Sequence, residues 1–163
     1  MEEMRKMNGG KKYDTVVFDL DGTLLDTLED LKDSVNDALE GAGMPARSLE
    51  EIRRFVGNGV RRLMELAVPG GEENPRFGEV FERFLSHYGQ HCNDKTAPYP
   101  HIMDLLKELK KKGYKMAIAS NKFYDGVQEL NRLYFAEYVS AAIGEKEGIR
   151  KKPAPDTVFA ALE

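Results

Sequence analysis

The sequence predicts an α/β fold in which a Rossmann-like, parallel-sheet core is interrupted by an all-helical insertion. Two observations lead to this prediction. A short apolar run at residues 15–18 ends in acids and a glycine, as a buried strand does at a ligand-binding edge. Residues 27–94, the helical insertion, show helical periodicity only, and alternating helix and strand patterns return after them.

The overall composition narrows the possible functions. A length of 163 residues suits one compact domain, or one domain with a small insert. The net charge of -4 argues against nucleic acid as the main partner. The single cysteine, Cys92, cannot form an internal disulfide, and no apolar run approaches the ~18 residues of a membrane span. We therefore expect a cytoplasmic protein, no membrane partner, and a flexible tail at residues 1–12.

The first strand, Thr15-Val16-Val17-Phe18, is apolar on both faces, as in a buried parallel strand. The helical insertion follows, with apolar residues at helical spacing and breaks at glycine-rich points. Ser48 is a plausible N-cap for its second helix, Gly57-Asn58-Gly59 interrupts it, and Pro69-Gly70-Gly71 ends its third helical run.

A polar stretch with two prolines at residues 93–100 reads as a linker back to the core. The core pattern then continues with a helix, a strand, a helix, a weaker strand, a turn-rich loop and the start of a helix, at residues 102–109, 115–119, 124–133, 138–143, 151–155 and 156–162. The predicted domains are thus an α/β core at residues 13–26 and 95–163 and a helical domain at residues 27–94.

Asp19 and Asp21 are the first candidates for chemistry. Carboxylates at i and i+2 after a strand can converge on one point, where they could hold Mg²⁺ through oxygen ligands. One could also attack an electrophile while the other moves protons. Gly22 permits close backbone approach to a ligand, and Thr23 adds a hydroxyl. An acidic loop that only caps a helix is the alternative.

The stretch Asp19-Leu20-Asp21-Gly22-Thr23, followed by Leu24-Leu25-Asp26-Thr27, resembles the first motif of the haloacid dehalogenase superfamily. The resemblance implies that Asp19 is the nucleophile and forms an aspartyl-phosphate. Asp21 would be the general acid that protonates the leaving oxygen and then activates water. Mg²⁺ would be bound by the Asp19 carboxylate and the Asp21 backbone carbonyl, and Leu20, Gly22 and Thr23 would line the phosphate.

Two further motifs of that family occur in the expected order. Ser120-Asn121 is similar to the second motif, which binds the transferring phosphoryl oxygens; alone, the pair would read as a loop or helix cap. Lys152, in Lys-Pro-Ala-Pro-Asp, resembles the third motif, whose ammonium offsets the charge of nucleophile and phosphate. Arg150 and Lys151 adjoin it, so this assignment could shift by one residue.

The helical insertion resembles the family's cap domain, which closes over the site. Its segment Phe55-Val56-Gly57-Asn58-Gly59-Val60 resembles the cap of phosphoglycolate phosphatases, where Gly57 and Asn58 would face the substrate. A plain helix-breaking turn is an equal alternative for Asn58. Four arginines could attract a substrate carboxylate, although such pairs are more typical of solvated faces: Arg53, Arg54, Arg61 and Arg62.

The resemblance implies a Mg²⁺-dependent phosphatase that hydrolyses a small, phosphoglycolate-like phosphomonoester and exists as a monomer or homodimer. A sugar-phosphate mutase of the same family stays open. Asp21 disfavours a dehalogenase, and the absence of lysine between Lys32 and Lys95 disfavours a phosphonate hydrolase. The family's fourth, acidic motif is expected beyond Glu163, so a truncated, weakly active or inactive phosphate-binding fragment is the alternative from another class.

Overall fold

The computed structural model describes residues 12–163, so most of the predicted tail lies outside the described residues. In chain order the elements are β1 (Thr15–Phe18), β2 (Leu25–Asp26), α1 (Leu28–Gly41), α2 (Leu49–Phe55), α3 (Val60–Ala67), a 3-10 turn (Gly71–Glu73), α4 (Phe77–His91), β3 (Ala97–Pro98), α5 (Ile102–Lys111), β4 (Lys115–Phe123), α6 (Tyr124–Tyr134), β5 (Ala141–Glu145) and α7 (Asp156–Leu162). The predicted α/β fold class is confirmed.

The core sheet has three parallel strands in the order β1-β4-β5. The central strand β4 is buried from Met116 to Lys122, because strands flank it and helices cover it. It extends four residues beyond the predicted end at residue 119, through a register irregularity opposite β5. Polar Ser120 and Asn121 suggested a loop, but burial at the sheet edge keeps them in the strand.

Two separate clusters of buried apolar side chains lie on either side of this edge. One surrounds the sheet and includes Leu20, Ile118 and Phe135, and the other lies among α1 to α4. In α4, successive rings of Phe77, Phe81, Phe84 and Tyr88 stack with centroids 5.8, 6.5 and 5.5 Å apart. The helical insertion therefore has a core of its own, while its domain boundaries remain a prediction.

The entry and exit of the helical insertion are tied together. Strand β3, within the stretch that the sequence predicts as a linker, pairs antiparallel with β2. Next to this ribbon, buried Asp30 accepts hydrogen bonds from the backbone N–H groups of Lys95 and Thr96 and from the Thr96 hydroxyl, at 2.8–3.0 Å. Two-residue strands that include Pro98 give too little sequence pattern to be predicted.

Local signals explain other element ends. Ser48 is the N-cap of α2, as predicted, and it also forms a capping box: its side chain accepts from Glu51 N, and the Glu51 carboxylate accepts from Ser48 N. β5 begins later than the predicted residue 138, because the backbone N–H groups of Tyr138 and Val139 donate to Phe135 O and close a turn after α6. Within residues 12–163, no helix is long and apolar enough to cross a membrane.

Candidate active site

A tight turn after β1 presents two carboxylates at the carboxyl edge of the sheet. The Leu20 carbonyl accepts hydrogen bonds from the backbone N–H groups of Thr23, Leu24 and Leu25. Gly22 N donates to Leu25 O at 2.9 Å. Gly22 has a φ of 78°, a conformation that glycine adopts without strain. This turn buries the Leu20 side chain in the core and leaves Asp19 and Asp21 partly exposed on its outer side.

Lys152 reaches the first of these carboxylates. Its Nζ lies 2.8 Å from Asp19 Oδ1 and donates to the Ala119 carbonyl at 2.9 Å. The adjacent Lys151 instead donates to the Asn58 carbonyl at 3.1 Å, and Arg150 pairs with Asp156. Of the three neighbouring cations, it is therefore Lys152 whose ammonium contacts Asp19.

Lys122 contacts the second carboxylate, and the sequence reasoning did not single it out. Its Nζ lies 3.0 Å from Asp21 Oδ1 and contacts the Tyr88 hydroxyl, and its side chain is only 2% exposed. Burial opposes the charged ammonium, but Tyr88 and Asp21 outweigh it, so the pKa of Lys122 is raised. Burial also raises the pKa of Tyr88 to about 12, so its hydroxyl is neutral at physiological pH.

Asn121 joins three parts of the site. Its Nδ2 donates to Gly57 O in the helical insertion and to Lys152 O, both at 3.1 Å, and its Oδ1 accepts from Lys152 N at 2.7 Å. Gly59 lies next to this contact with a φ of 86°, and an added Cβ would stand 3.4 Å from Asn121 O. Both glycines of this turn have a positive φ, 116° at Gly57 and 86° at Gly59, which a residue with a side chain adopts only with strain.

A pocket of about 450 Å³, partly open to solvent, lies between the sheet edge and the helical insertion. Its polar lining comes from the two aspartates, the end of β4 and the glycine turn, and its apolar wall comes from the insertion: Asp19, Asp21, Ser120, Asn121, Lys122, Gly57, Gly59, Leu31, Val56, Val60 and Leu63. Among the predicted site residues, Leu20, Gly22, Thr23, Asn58 and Lys152 are not part of this lining. Lys152 reaches the site through Asp19, whereas Thr23 and Asn58 are exposed.

The two carboxylates suit a hard cation by their chemistry. Each engages a lysine through Oδ1, and both are oxygen donors of the kind that Mg²⁺ uses alongside water and substrate phosphate. In residues 12–163, no group of three or more histidine, cysteine, aspartate or glutamate side chains is placed to hold a metal ion. Within the described residues, Asp19 and Asp21 are a pair of acids at the pocket whose oxygen atoms fit the chemistry of Mg²⁺.

The four arginines of the helical insertion lie on exposed faces and pair with glutamates of the same segment. Arg53 and Arg54 pair with Glu50, whereas Arg61 and Arg62 pair with Glu65. Arg61 also contacts Glu72. None of these arginines lines the pocket, so the structure gives them the solvated arrangement that their spacing favours.

A parallel sheet whose carboxyl edge presents paired aspartates, a lysine against the first of them and a helical insertion above is the arrangement of a haloacid dehalogenase-like hydrolase. The model of that family, described as haloacid dehalogenase-like hydrolase, matches residues 16–163. The chain belongs to this family, as its motifs predict.

Among individual relatives, the chain is similar to proteins named phosphoglycolate phosphatase. The chain is 33% identical over 150 residues to a phosphoglycolate phosphatase of Aquifex aeolicus, covering 91% of this chain and 68% of the relative. It is 33% identical over 144 residues to a phosphoglycolate phosphatase of Mesorhizobium japonicum, covering 86% of this chain and 63% of the relative. It thus spans less than two thirds of the length of the latter relative.

A solved structure shows the same similarity. A candidate phosphoglycolate phosphatase from Lactobacillus delbrueckii subsp. bulgaricus superposes with a TM-score of 0.86 at 36% identity. The match covers 93% of this chain and 73% of the other. The likeness therefore includes both the sheet and the helical insertion.

Proposed function

We propose that this chain is a Mg²⁺-dependent phosphatase that hydrolyses a small phosphomonoester through an aspartyl-phosphate on Asp19. The observation that carries the proposal is the pairing of each pocket carboxylate with its own lysine, Asp19 with Lys152 and Asp21 with Lys122, at 2.8 and 3.0 Å. Paired carboxylates beside fixed cations suit phosphoryl transfer, in which charge must be stabilised and a proton moved.

In the first half-reaction, an Asp19 carboxylate oxygen forms a bond to phosphorus as the ester P–O bond breaks. The electron pair of that bond goes to the leaving oxygen, which takes a proton from the Asp21 carboxyl group. Lys152 contacts Asp19 and Ser120 lines the pocket, so their ammonium and hydroxyl groups would bind the phosphoryl oxygens. The free alcohol leaves, and phosphate stays on Asp19.

In the second half-reaction, water attacks phosphorus and gives its proton to the Asp21 carboxylate. The P–O bond to Asp19 breaks, which restores the carboxylate and releases inorganic phosphate. When bound, Mg²⁺ would be held by the Asp19 carboxylate and the Asp21 backbone carbonyl, which leaves the Asp21 carboxyl group free to move the proton, and it would supply positive charge beside the phosphoryl oxygens. The apolar wall from the helical insertion limits water around the reacting group.

The proposed substrate is a phosphoglycolate-like ester, on the basis of the named relatives. The phosphate group would lie at the sheet edge beside Asp19, and the organic part would lie under the Gly57–Gly59 turn.

Phosphate release from 2-phosphoglycolate and p-nitrophenyl phosphate tests the proposal, with Mg²⁺ and with EDTA. Asp19→Asn keeps the shape of the side chain and removes the nucleophile, so we expect turnover to fall by about 10³-fold or more. Asp104→Asn, on an exposed face of α5, is the matched control and should leave turnover unchanged.

Two results would contradict the proposal. Turnover that persists in the Asp19→Asn variant, and in the wild type treated with EDTA, would show that another group carries the reaction. A folded wild-type chain that binds inorganic phosphate but turns over neither substrate would favour the alternative of a phosphate-binding fragment.

A further inference from the structure

Lys122 is a buried charge that the mechanism above leaves without a role of its own. It lies near the end of β4, with the side chain 2% exposed, and its Nζ contacts Asp21 Oδ1 and the Tyr88 hydroxyl. The same Nζ stands 4.7 Å from the centre of the Tyr88 ring. A buried ammonium is costly unless it is paired, so this placement requires both partners.

Each of the two lysines, Lys152 and Lys122, contacts a different carboxylate, Asp19 and Asp21 respectively. Lys152 holds Asp19 and is itself anchored on the Ala119 carbonyl of the sheet. Lys122 holds Asp21 and is anchored on Tyr88, which belongs to α4 of the helical insertion. The position of Asp21 is therefore set by a contact between the sheet and the insertion.

Tyr88 is well placed to act as a fixed anchor. It is fully buried, its ring stacks on Phe84 with centroids 5.5 Å apart, and it meets Phe123 edge-on at 6.4 Å. These contacts fix the ring, and with it the direction of the hydroxyl toward Lys122. The neutral hydroxyl accepts a hydrogen bond from the ammonium without cancelling its charge.

We propose that Lys122 is a positioning residue for the general acid. By binding Asp21 Oδ1, it leaves Oδ2 to carry the proton toward the leaving oxygen, and Tyr88 holds Lys122 in that place. The inference rests on the proposed function, because it concerns how the same site moves its proton. It adds a residue whose effect passes through Asp21 and not through the phosphoryl group.

The proton transfer gives this role a chemical signature. When the ester P–O bond breaks, its electron pair goes to the leaving oxygen, and an alkoxide leaving group needs the proton from Asp21 at that moment. p-Nitrophenolate is a stable anion and leaves without that proton. A misplaced Asp21 therefore slows aspartyl-phosphate formation from an alkyl phosphate and has little effect on its formation from p-nitrophenyl phosphate, whereas general damage to the site slows both. Because the second half-reaction also uses Asp21 and is the same for both substrates, the comparison is made on kcat/KM, which covers only the steps up to release of the alcohol.

The test measures kcat and KM on 2-phosphoglycolate and on p-nitrophenyl phosphate for Lys122→Met and Tyr88→Phe. We expect Lys122→Met to lower kcat/KM on 2-phosphoglycolate by about 100-fold, and on p-nitrophenyl phosphate by no more than about 5-fold. Tyr88→Phe removes one oxygen and keeps the ring stack, so we expect the same selectivity at about 10-fold. Exposed Lys107→Met and Tyr13→Phe are the matched controls.

Equal loss on both substrates, or no loss on either, would overturn the positioning role. Failure of the wild-type chain to turn over either substrate would instead refute the proposed function, and the positioning role with it. A measurement without turnover checks the contact itself: in a spectrum of ¹⁵N-lysine-labelled protein, the protected ammonium signal of Lys122 should shift in Asp21→Asn and in Tyr88→Phe. A signal that responds to neither substitution would overturn the inference whatever the activity.

Discussion

Replacing Asn121 by alanine should destabilise the fold by an amount that follows from its contacts. The side chain is 7% exposed and makes three hydrogen bonds, to Gly57 O, Lys152 O and Lys152 N. At about 1 kcal/mol net for each bond, Asn121→Ala should lower the free energy of unfolding by about 3 kcal/mol. With a denaturant slope of about 2 kcal/mol/M, the urea midpoint should fall by about 1.5 M.

Asn121→Asp separates hydrogen bonding from packing. It keeps the volume of the side chain and the acceptor for Lys152 N, but it turns an oxygen toward the carbonyls of Gly57 and Lys152 in place of the Nδ2 donor. We expect it to cost at least as much stability as the alanine variant. Asn58→Ala removes an exposed asparagine in the facing turn and should change stability by less than about 0.5 kcal/mol.

Urea unfolding followed by circular dichroism measures all three variants. A loss below about 1 kcal/mol in Asn121→Ala would refute the reasoning, because it would mean that the three bonds exchange with water at no net cost. An Asn121→Asp variant as stable as the wild type would also refute the reasoning, since the two hydrogen bonds that Nδ2 donates would then contribute nothing to stability.

Two further predictions concern carboxylates away from the pocket. Asp30→Asn replaces an acceptor oxygen that faces the N–H and O–H donors of Lys95 and Thr96. The free energy of unfolding, measured in urea, should therefore fall by about 2–3 kcal/mol. Exposed Asp104→Asn is the control, and an equal loss in the two variants would contradict the prediction. The hydrogen bond from Arg83 lowers the pKa of Asp37 in the folded protein from its usual 3.8. The Asp37–Arg83 pair therefore stabilises the fold fully above the usual pKa, and this contribution is lost as the pH falls through the lowered pKa. Thermal unfolding of wild type and Asp37→Asn should differ at neutral pH and converge in acid, and a constant difference would disprove the linkage.

Sequence patterns predicted the framework of the fold because they are local. The strand at residues 15–18 and the helix at residues 156–162 are observed with those bounds, and Ser48 caps α2 as expected. The end of β4 could not be predicted in this way, since polar residues stay in a strand there only because the helical insertion covers them. Burial of that kind depends on segments far apart in the chain.

The candidate site shows the same contrast between features that local sequence patterns predict and features that depend on distant segments. Asp19 and Asp21 are recognisable together because they adjoin a buried strand, whereas joining them to Ser120 and Lys152 depended on family resemblance. Lys122 was missed because a lysine after Ser-Asn reads as a solvated loop residue. Residues i and i+2 of a strand share a face, so a β4 that continued past Ser120 would have placed Lys122 on the side of the pocket.

The contacts that join the end of β4 and the Lys152 loop to the facing part of the helical insertion run in one direction. Side chains of the core donate, and the insertion accepts: Asn121 to Gly57 O, Lys151 to Asn58 O and Lys122 to the Tyr88 hydroxyl. Lys122 also binds Asp21, so under the proposed mechanism the placement of the general acid and the seating of the insertion depend on the same ammonium group. Under that mechanism the insertion would be coupled to the chemistry of the sheet edge through Lys122, in addition to covering it.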